Sequence, residues 1–121
     1  MYGKKKRTKH ITTLERLHEL HQGKGMLWMW TLTTAQGNRY ESPQEAHADV
    51  TQNERIRKLC KAMGWKYWTW VLEWHKSGWP HWHLLVYTPT KARIEHHEVQ
   101  AIWKPGWVQY TRSTNQGGSI K

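Results

Sequence analysis

The sequence has almost no cysteine and lacks phenylalanine altogether. Cys60 is the only cysteine, so neither an intrachain disulfide nor a zinc site built from several thiolates can form. A reducing compartment is compatible with this, although a single cysteine does not require it. No apolar run approaches the roughly 20 residues of a membrane span, and the N-terminus lacks the apolar segment of a signal peptide. We therefore expect a soluble protein of the cytoplasm.

Acidic residues are also scarce: 9 Asp and Glu stand against 19 Lys and Arg, giving a net charge of +10 in 121 residues. Such an excess favours a polyanionic partner, most commonly nucleic acid, and the alternative is a merely soluble basic protein. Five basic residues crowd the first ten positions, namely Lys4, Lys5, Lys6, Arg7 and Lys9. We expect residues 1–10 to form a flexible basic arm that contacts phosphates, and residues 11–121 to form one domain.

In place of phenylalanine the chain has 10 tryptophans. A small domain gains much buried area from each large aromatic side chain, so most of them should lie in the core. Some could instead stack on nucleic-acid bases, an interaction of roughly 1–3 kcal/mol per base. Core packing is the commoner role for any single one of them.

The pattern of apolar residues predicts strands and helices in alternation. Strands are expected at 26–34, 66–75, 81–88 and 107–112, and helices at 11–22, 42–64 and 92–103. The second helix has the clearest boundaries, with Ser42 as N-cap, Pro43 in the first turn, Glu45 three residues after the cap and Gly64 as a stop. The sequence therefore predicts an α+β fold, a central antiparallel sheet with helices packed on it in the split β-α-β-β-α-β, ferredoxin-like arrangement.

The motif His81-Trp82-His83 is the feature that carries chemistry. On a strand, residues two apart point to the same face, so both imidazoles can converge on one metal ion. Trp82 then points to the opposite face and anchors the strand in the core. The motif is weak evidence by itself, because 9 histidines are present and two partly exposed strand histidines would give the same pattern.

A third metal ligand should come from the other arm of the hairpin predicted around residues 77–80. Glu73 lies there, on the face of the strand that carries few tryptophans. A carboxylate among apolar neighbours is costly unless a positive group pairs with it, and a metal ion shared with His81 and His83 would supply that charge. His75 shares this face and is a weaker candidate, as a ligand or as a partner of one.

Other functions share parts of this pattern. Two histidines and one carboxylate also describe a non-haem iron oxygenase. Cupin-type sites place an acidic residue shortly after the His-x-His, whereas here no acid follows His83 before Glu95, so iron ranks lower. A third alternative is a non-catalytic, basic, tryptophan-rich module that binds single-stranded nucleic acid and whose His-x-His is structural.

Three stretches together carry a resemblance to a known family. They are Trp30-Thr31-Leu32-Thr33, the run from Glu73 to Val86, and Trp103-Lys104-Pro105-Gly106-Trp107. In them the chain resembles the rolling-circle replication initiators of phages and plasmids, members of the HUH endonuclease superfamily, over nearly everything after the arm. The resemblance implies a central antiparallel sheet, Mg²⁺ or Mn²⁺ held by the two histidines and an upstream polar ligand, and nicking of single-stranded DNA at an origin.

The resemblance also implies further site residues and partners. Thr31 and Thr33 belong to the family's first motif, beside the metal strands, and we expect DNA contacts there and at His75 and Lys76. The ion would polarise the scissile phosphate and leave coordination positions open for DNA. The expected partners are single-stranded origin DNA and host replication proteins. The expected state is a monomer in the cytoplasm of a bacterial host, without a membrane.

The nucleophile is where the resemblance fails. In the family, a tyrosine in a Tyr-x-x-Lys pattern after the final strand attacks the phosphodiester and stays joined to the 5′ phosphate. No such pattern follows the predicted final strand here. Either the chain ends before its nucleophile helix, which we favour and in which case it binds DNA without cleaving it, or an in-chain tyrosine has taken over. Tyr110 is the nearest substitute by position, although a structural role suits it better.

Overall fold

The computed structural model describes residues 13–35, 39–89 and 93–111. Several predictions of the sequence analysis fall outside these ranges, namely the basic arm with Lys4, Lys5, Lys6 and Arg7, a turn at residues 37–38, and the chain from residue 112 onward. Within the described residues, no helix is both long enough and apolar enough to cross a membrane.

The described residues form four helices and a four-stranded antiparallel sheet. In chain order they are α1 (13–20), β1 (Met26–Leu32), α2 (Pro43–Gln52), α3 (Arg55–Met63), β2 (Tyr67–Trp74), β3 (Pro80–Thr88), α4 (His96–Ile102) and β4 (Val108–Thr111). The strands lie side by side in the order β2-β3-β1-β4, and each neighbouring pair is antiparallel. The predicted α+β class and central antiparallel sheet are confirmed.

Each face of the sheet carries its own apolar cluster. Trp82, Leu84 and Val86 of β3 belong to the larger one, in which side chains of β1 and β4 pack with those of α2, α3 and α4. We call this the helical face. Leu85 and Tyr87 point the other way and pack with β1 and with residues of α1. We call this second face the site face, because it also carries the histidines described below.

Most tryptophans are core residues, as their number predicts. Six of the ten are buried: Trp28, Trp30, Trp65, Trp79, Trp82 and Trp103. Trp70, Trp74 and Trp107 are the large exceptions, with Trp107 the most exposed of the three at 71%. An indole that stays in water gives up about 25 cal/mol per Å² of apolar area that burial would have gained. Exposed tryptophans therefore invite a functional explanation.

The predicted helix from Ser42 to Gly64 is wrong as a single element, although both of its ends are correct. Ser42 caps α2 by accepting a hydrogen bond from the backbone N–H of Glu45 at 3.1 Å, and Gly64 ends α3 with φ of 77°. Between the two helices, Glu54 adopts a left-handed φ of 51°.

Short polar side chains explain this break. The Thr51 hydroxyl donates to the carbonyl of His47 at 2.8 Å, and the Asn53 side chain donates to Asp49 at 2.5 Å. Such local bonds compete with continuation of the helix.

The last predicted helix is also shorter than expected. It begins at His96 rather than Ala92, because Glu95 and Glu98 form a reciprocal capping box at its start. Of the predicted extension, residues 93–95 are described and are not helical. Strands β1 and β4 are likewise shorter by one or two residues at their ends than the sequence predicts.

Candidate metal and DNA site

The β2–β3 hairpin sets the geometry of the site. Its register pairs Glu73 with His81 and Val71 with His83, so these side chains share the site face. Trp82, between the histidines, points to the helical face, is fully buried and meets Trp103 edge-on at 6.4 Å. The turn is closed by a hydrogen bond from His75 N–H to the Trp79 carbonyl at 2.9 Å, and Gly78 supplies its positive φ of 89°.

His83 is held from two sides. Its Nε2 lies 2.6 Å from Oε1 of Glu73, and its Nδ1 lies 3.3 Å from the hydroxyl of Thr31 on β1. A carboxylate only accepts, so Nε2 donates to Glu73, and in the neutral ring Nδ1 then accepts from Thr31. The hydrogen bond from His83 lowers the pKa of Glu73; burial opposes this, and positive charge on the nearby histidines reinforces it. Glu73 is therefore a carboxylate at neutral pH.

His81 has a different environment. Its ring stacks on that of His75, with centroids 4.7 Å apart, and His75 is in turn 3.3 Å from the Ser77 hydroxyl through Nδ1. Burial lowers the pKa of His81, and positive charge on His75 and His83 lowers it further against the opposing effect of Glu73. The neutral imidazole is thereby favoured, which is the form that ligates metals.

The donor set suits a divalent cation, but its side chains are not gathered around one point. Two imidazoles and a carboxylate on one face are ligands that Mn²⁺ accepts readily. Within the described residues, however, no three His, Cys, Asp or Glu side chains form a group that could hold a metal ion. Instead, Glu73 bonds directly to His83, while His81 leans on His75.

The predicted DNA-contacting residues occupy different places. Thr31 lies beside His83, and Lys76 is exposed in the hairpin turn. Thr33 lies farther along, where its hydroxyl both donates to the Trp107 carbonyl and accepts from the Trp107 N–H, each at 2.8 Å. Thr31, His75 and Lys76 thus surround the histidine pair, whereas Thr33 holds the start of β4.

Tyr110 lies on the wrong side of the sheet to act with the histidines. It pairs with Trp30 across β1 and β4, and its ring packs against Trp30 at 4.9 Å and Trp28 at 5.6 Å on the helical face. His81 and His83 point to the site face, so the structure does not bring Tyr110 to them. Its packing accounts for the residue structurally.

The other described tyrosines are accounted for elsewhere. Tyr67 and Tyr87 pair with each other on the site face, but six residues along β2 from Glu73, which is roughly 20 Å at the rise of a strand. The Tyr40 hydroxyl donates to Asp49 on α2, and burial together with Asp49 raises the pKa of Tyr40 to about 12.

Sequence reasoning missed one signal and could not have found another. Tyr2 precedes Lys5 by three positions, which is the spacing of the Tyr-x-x-Lys pattern, although it stands before the first strand and outside the described residues. Thr31 and His83 are 52 residues apart, and only the register between β1 and β3 brings them together. No local pattern predicts that contact.

Comparisons with known proteins bear on the identity of this site. A family model for replication-associated proteins of the ORF2 type matches residues 27–120, which include all but the first residue of the sheet and the whole hairpin. Comparisons with curated proteins and with solved structures found no match.

Proposed function

Since the chain belongs to the ORF2 family of replication-associated proteins, we propose that it nicks and rejoins single-stranded DNA at a replication origin in a metal-dependent reaction. The observation that carries the proposal is the direct pairing of Glu73 with His83 beside His81, on one face of a hairpin. A carboxylate and two imidazoles so placed are suited to a metal-dependent phosphodiester reaction.

The proposed ligands are His81, His83 and Glu73, and the proposed ion is Mg²⁺ or Mn²⁺. When bound, such an ion acts as a Lewis acid toward a phosphate oxygen. Binding would replace the hydrogen bond between Glu73 and His83, since both of its atoms are ligand atoms. The Thr31 hydroxyl suits this exchange, because it can donate to Nδ1 of His83 before the exchange and accept from Nδ1–H after it.

The proposed chemical step is a transesterification. The phenolic oxygen of a tyrosine attacks the phosphorus, the bond from phosphorus to the 3′ oxygen breaks, and the phenolic proton is passed on to leave a 3′ hydroxyl. The 5′ phosphate stays joined to tyrosine, so that the reverse attack can rejoin the strand. Among the tyrosines, the packing of Tyr110 favours it least, and Tyr2 is a candidate by spacing alone.

A second candidate function is a non-catalytic module that binds single-stranded nucleic acid. It is favoured by the same pair in another light: Glu73 and His83 satisfy each other, as a structural pair would. The net charge of +10 serves this function equally well.

One experiment separates the two candidates. The chain is incubated with single-stranded DNA labelled at either end, with Mn²⁺ or with EDTA, and is examined for a covalent protein–DNA adduct. The proposal expects an adduct with Mn²⁺ that carries the label of the 3′ fragment and is lost in His83→Ala. Tyr2→Phe and Tyr110→Phe serve as a matched pair that locates the nucleophile.

Metal dependence of DNA binding gives a second readout on the same samples. The proposal expects Mn²⁺ to strengthen binding in the wild type and to have no effect in His83→Ala. DNA binding that is indifferent both to Mn²⁺ and to His83→Ala, with no adduct, would establish the non-catalytic module instead.

A further inference from the structure

We propose that the indole of Trp107 is a stacking platform for a base of the single-stranded DNA that enters the site. The inference rests on the proposed function for its ligand, and it assigns this residue a positioning role distinct from metal binding. Trp107 is 71% exposed, far more than Trp70 and Trp74, the other exposed tryptophans. Its backbone, by contrast, is among the most tightly held in the described chain.

Thr33 supplies the first part of that hold. The Thr33 N–H donates to the Trp107 carbonyl at 2.9 Å, and its hydroxyl bonds to both the carbonyl and the N–H of the same residue at 2.8 Å. Three hydrogen bonds therefore fix the peptide groups on either side of one exposed side chain. An aromatic ring on a backbone fixed in advance loses less entropy when it binds.

The loop before Trp107 is fixed as well. The side-chain amide of Gln100 donates to the Gly106 carbonyl at 2.8 Å, and its oxygen accepts from the Val108 N–H at 2.9 Å. On the other side, the indole N–H of Trp103 donates to the Thr33 carbonyl at 2.9 Å. These bonds brace the segment from both flanks, although its outermost side chain remains in solvent.

The register places Trp107 on the site face. Val108 pairs with Leu32 and belongs to the cluster on the helical face, so its predecessor points the opposite way. Leu32 also pairs with Trp82, which makes the next row across the sheet Trp107, Thr33, His81 and Glu73. Adjacent strands are about 4.8 Å apart, so the backbone at Trp107 lies roughly 10 Å from that of His81. One short stretch of DNA can contact both.

The chemistry of the surface identifies the ligand. A base offers a flat π-face to an indole, and stacking of this kind tolerates any base. Lys104, three residues before Trp107, is exposed, and so is Lys76 at the hairpin turn, so cations for the phosphates lie near both ends of the row. An exposed indole between cationic side chains suits a single strand, whose bases are accessible, better than a duplex.

The test measures DNA binding alone, by fluorescence anisotropy of a labelled single-stranded oligonucleotide in EDTA. Trp107→Ala should weaken binding about 5- to 100-fold, the equivalent of one stacked base, whereas Trp107→Tyr should retain most of the affinity. The slope of affinity against salt should not change, because no charge is removed. A scan of abasic positions along the oligonucleotide should find one that weakens the wild type but not Trp107→Ala.

Trp70→Ala is the matched control, since Trp70 is 41% exposed and its strand register directs it to the helical face. It should bind DNA within about twofold of the wild type, the scatter expected when no stacked base is lost. Equal affinity of Trp107→Ala and the wild type, or an equal loss in Trp70→Ala, would overturn the inference, as would an absence of DNA binding by the wild type. Glu73→Gln, measured in the same assay, should bind normally without metal, so a failure of the nicking proposal stays distinguishable.

Discussion

The carboxylate of Glu73 and the imidazole of His83 form a hydrogen bond of 2.6 Å between neighbouring strands. Each of these groups is a metal ligand by nature, and each is held by the other in this structure. The pair therefore serves two purposes on one geometry. It keeps the site ordered without an ion, and it places two ligand atoms together where an ion can take over both.

Glu73→Gln should weaken Mn²⁺ binding by about 10- to 100-fold or more, because glutamine keeps the size of the side chain and lacks its charge. The measurement is calorimetric titration with Mn²⁺ at neutral pH. Glu19→Gln on α1 is the control, since Glu19 is exposed and the same unit of charge is removed. If both variants bind Mn²⁺ like the wild type, Glu73 is not a ligand.

The hydroxyl of Thr31 should matter through the ring that it touches. Thr31→Val keeps the shape of the side chain and removes the contact of 3.3 Å with Nδ1 of His83, so Mn²⁺ affinity should fall by about 10-fold or more. Thr31→Ser keeps the hydroxyl and should bind within a few-fold of the wild type. A loss in both variants would point to packing rather than to the hydrogen bond.

Asp49 should make the stability of the fold depend on acid pH. Burial disfavours its charge, but hydrogen bonds from Tyr40, Arg55 and Asn53 outweigh this and lower its pKa below the ordinary 3.8. A folded-state pKa below that of the unfolded chain contributes stability above about pH 4, and the contribution is lost as pH falls through the folded-state pKa.

Asp49→Asn should therefore lower the free energy of unfolding by about 1–3 kcal/mol at pH 7, and by less at pH 3, where Asp49 itself is taking up a proton. Urea denaturation at the two pH values measures the difference. Glu15→Gln, at an exposed position on α1, should have little effect at either pH. A deficit of Asp49→Asn that is the same at pH 3 and pH 7 would show that charge is not its cause.

Local sequence signals predicted much of the fold, because they depend on neighbouring residues alone. The two-residue period around Trp82 separates the histidines from the core, and Ser42 and Gly64 mark true helix ends. The break at Glu54 was missed because it depends on competing side-chain hydrogen bonds around it, which short polar residues make only in some contexts.

The candidate site was predictable only in part for a similar reason. Glu73 and the two histidines lie on one hairpin, so a single turn fixes their relation. Thr31, Tyr110 and Trp107 take their places from pairings with strands distant in sequence, and shifting such a register by one residue reverses the face of each side chain. The sequence alone therefore left the face of Tyr110 open and gave no sign that Trp107 was exposed.

Gly106 tests whether the hold on Trp107 matters. A Cβ at this position would lie 2.5 Å from the Thr33 carbonyl oxygen and 2.8 Å from the Cα of Thr34, both of them backbone atoms that cannot rotate away. Gly106→Ala must therefore push the loop off β1, at a cost of about 1–3 kcal/mol in the free energy of unfolding. The Trp107 hydrogen bonds to Thr33 should weaken with it, so DNA affinity should fall as well.

Gly64→Ala is the matched control for that substitution. Gly64 has a positive φ of 77° and open space around its Cβ position, so alanine there costs about 1–2 kcal/mol through backbone conformation alone, at the end of α3. Both variants should lose stability in urea denaturation, but only Gly106→Ala should lose affinity for single-stranded DNA in EDTA. If the two variants bind DNA equally well, the position of Trp107 does not depend on the close approach of Gly106 to Thr33.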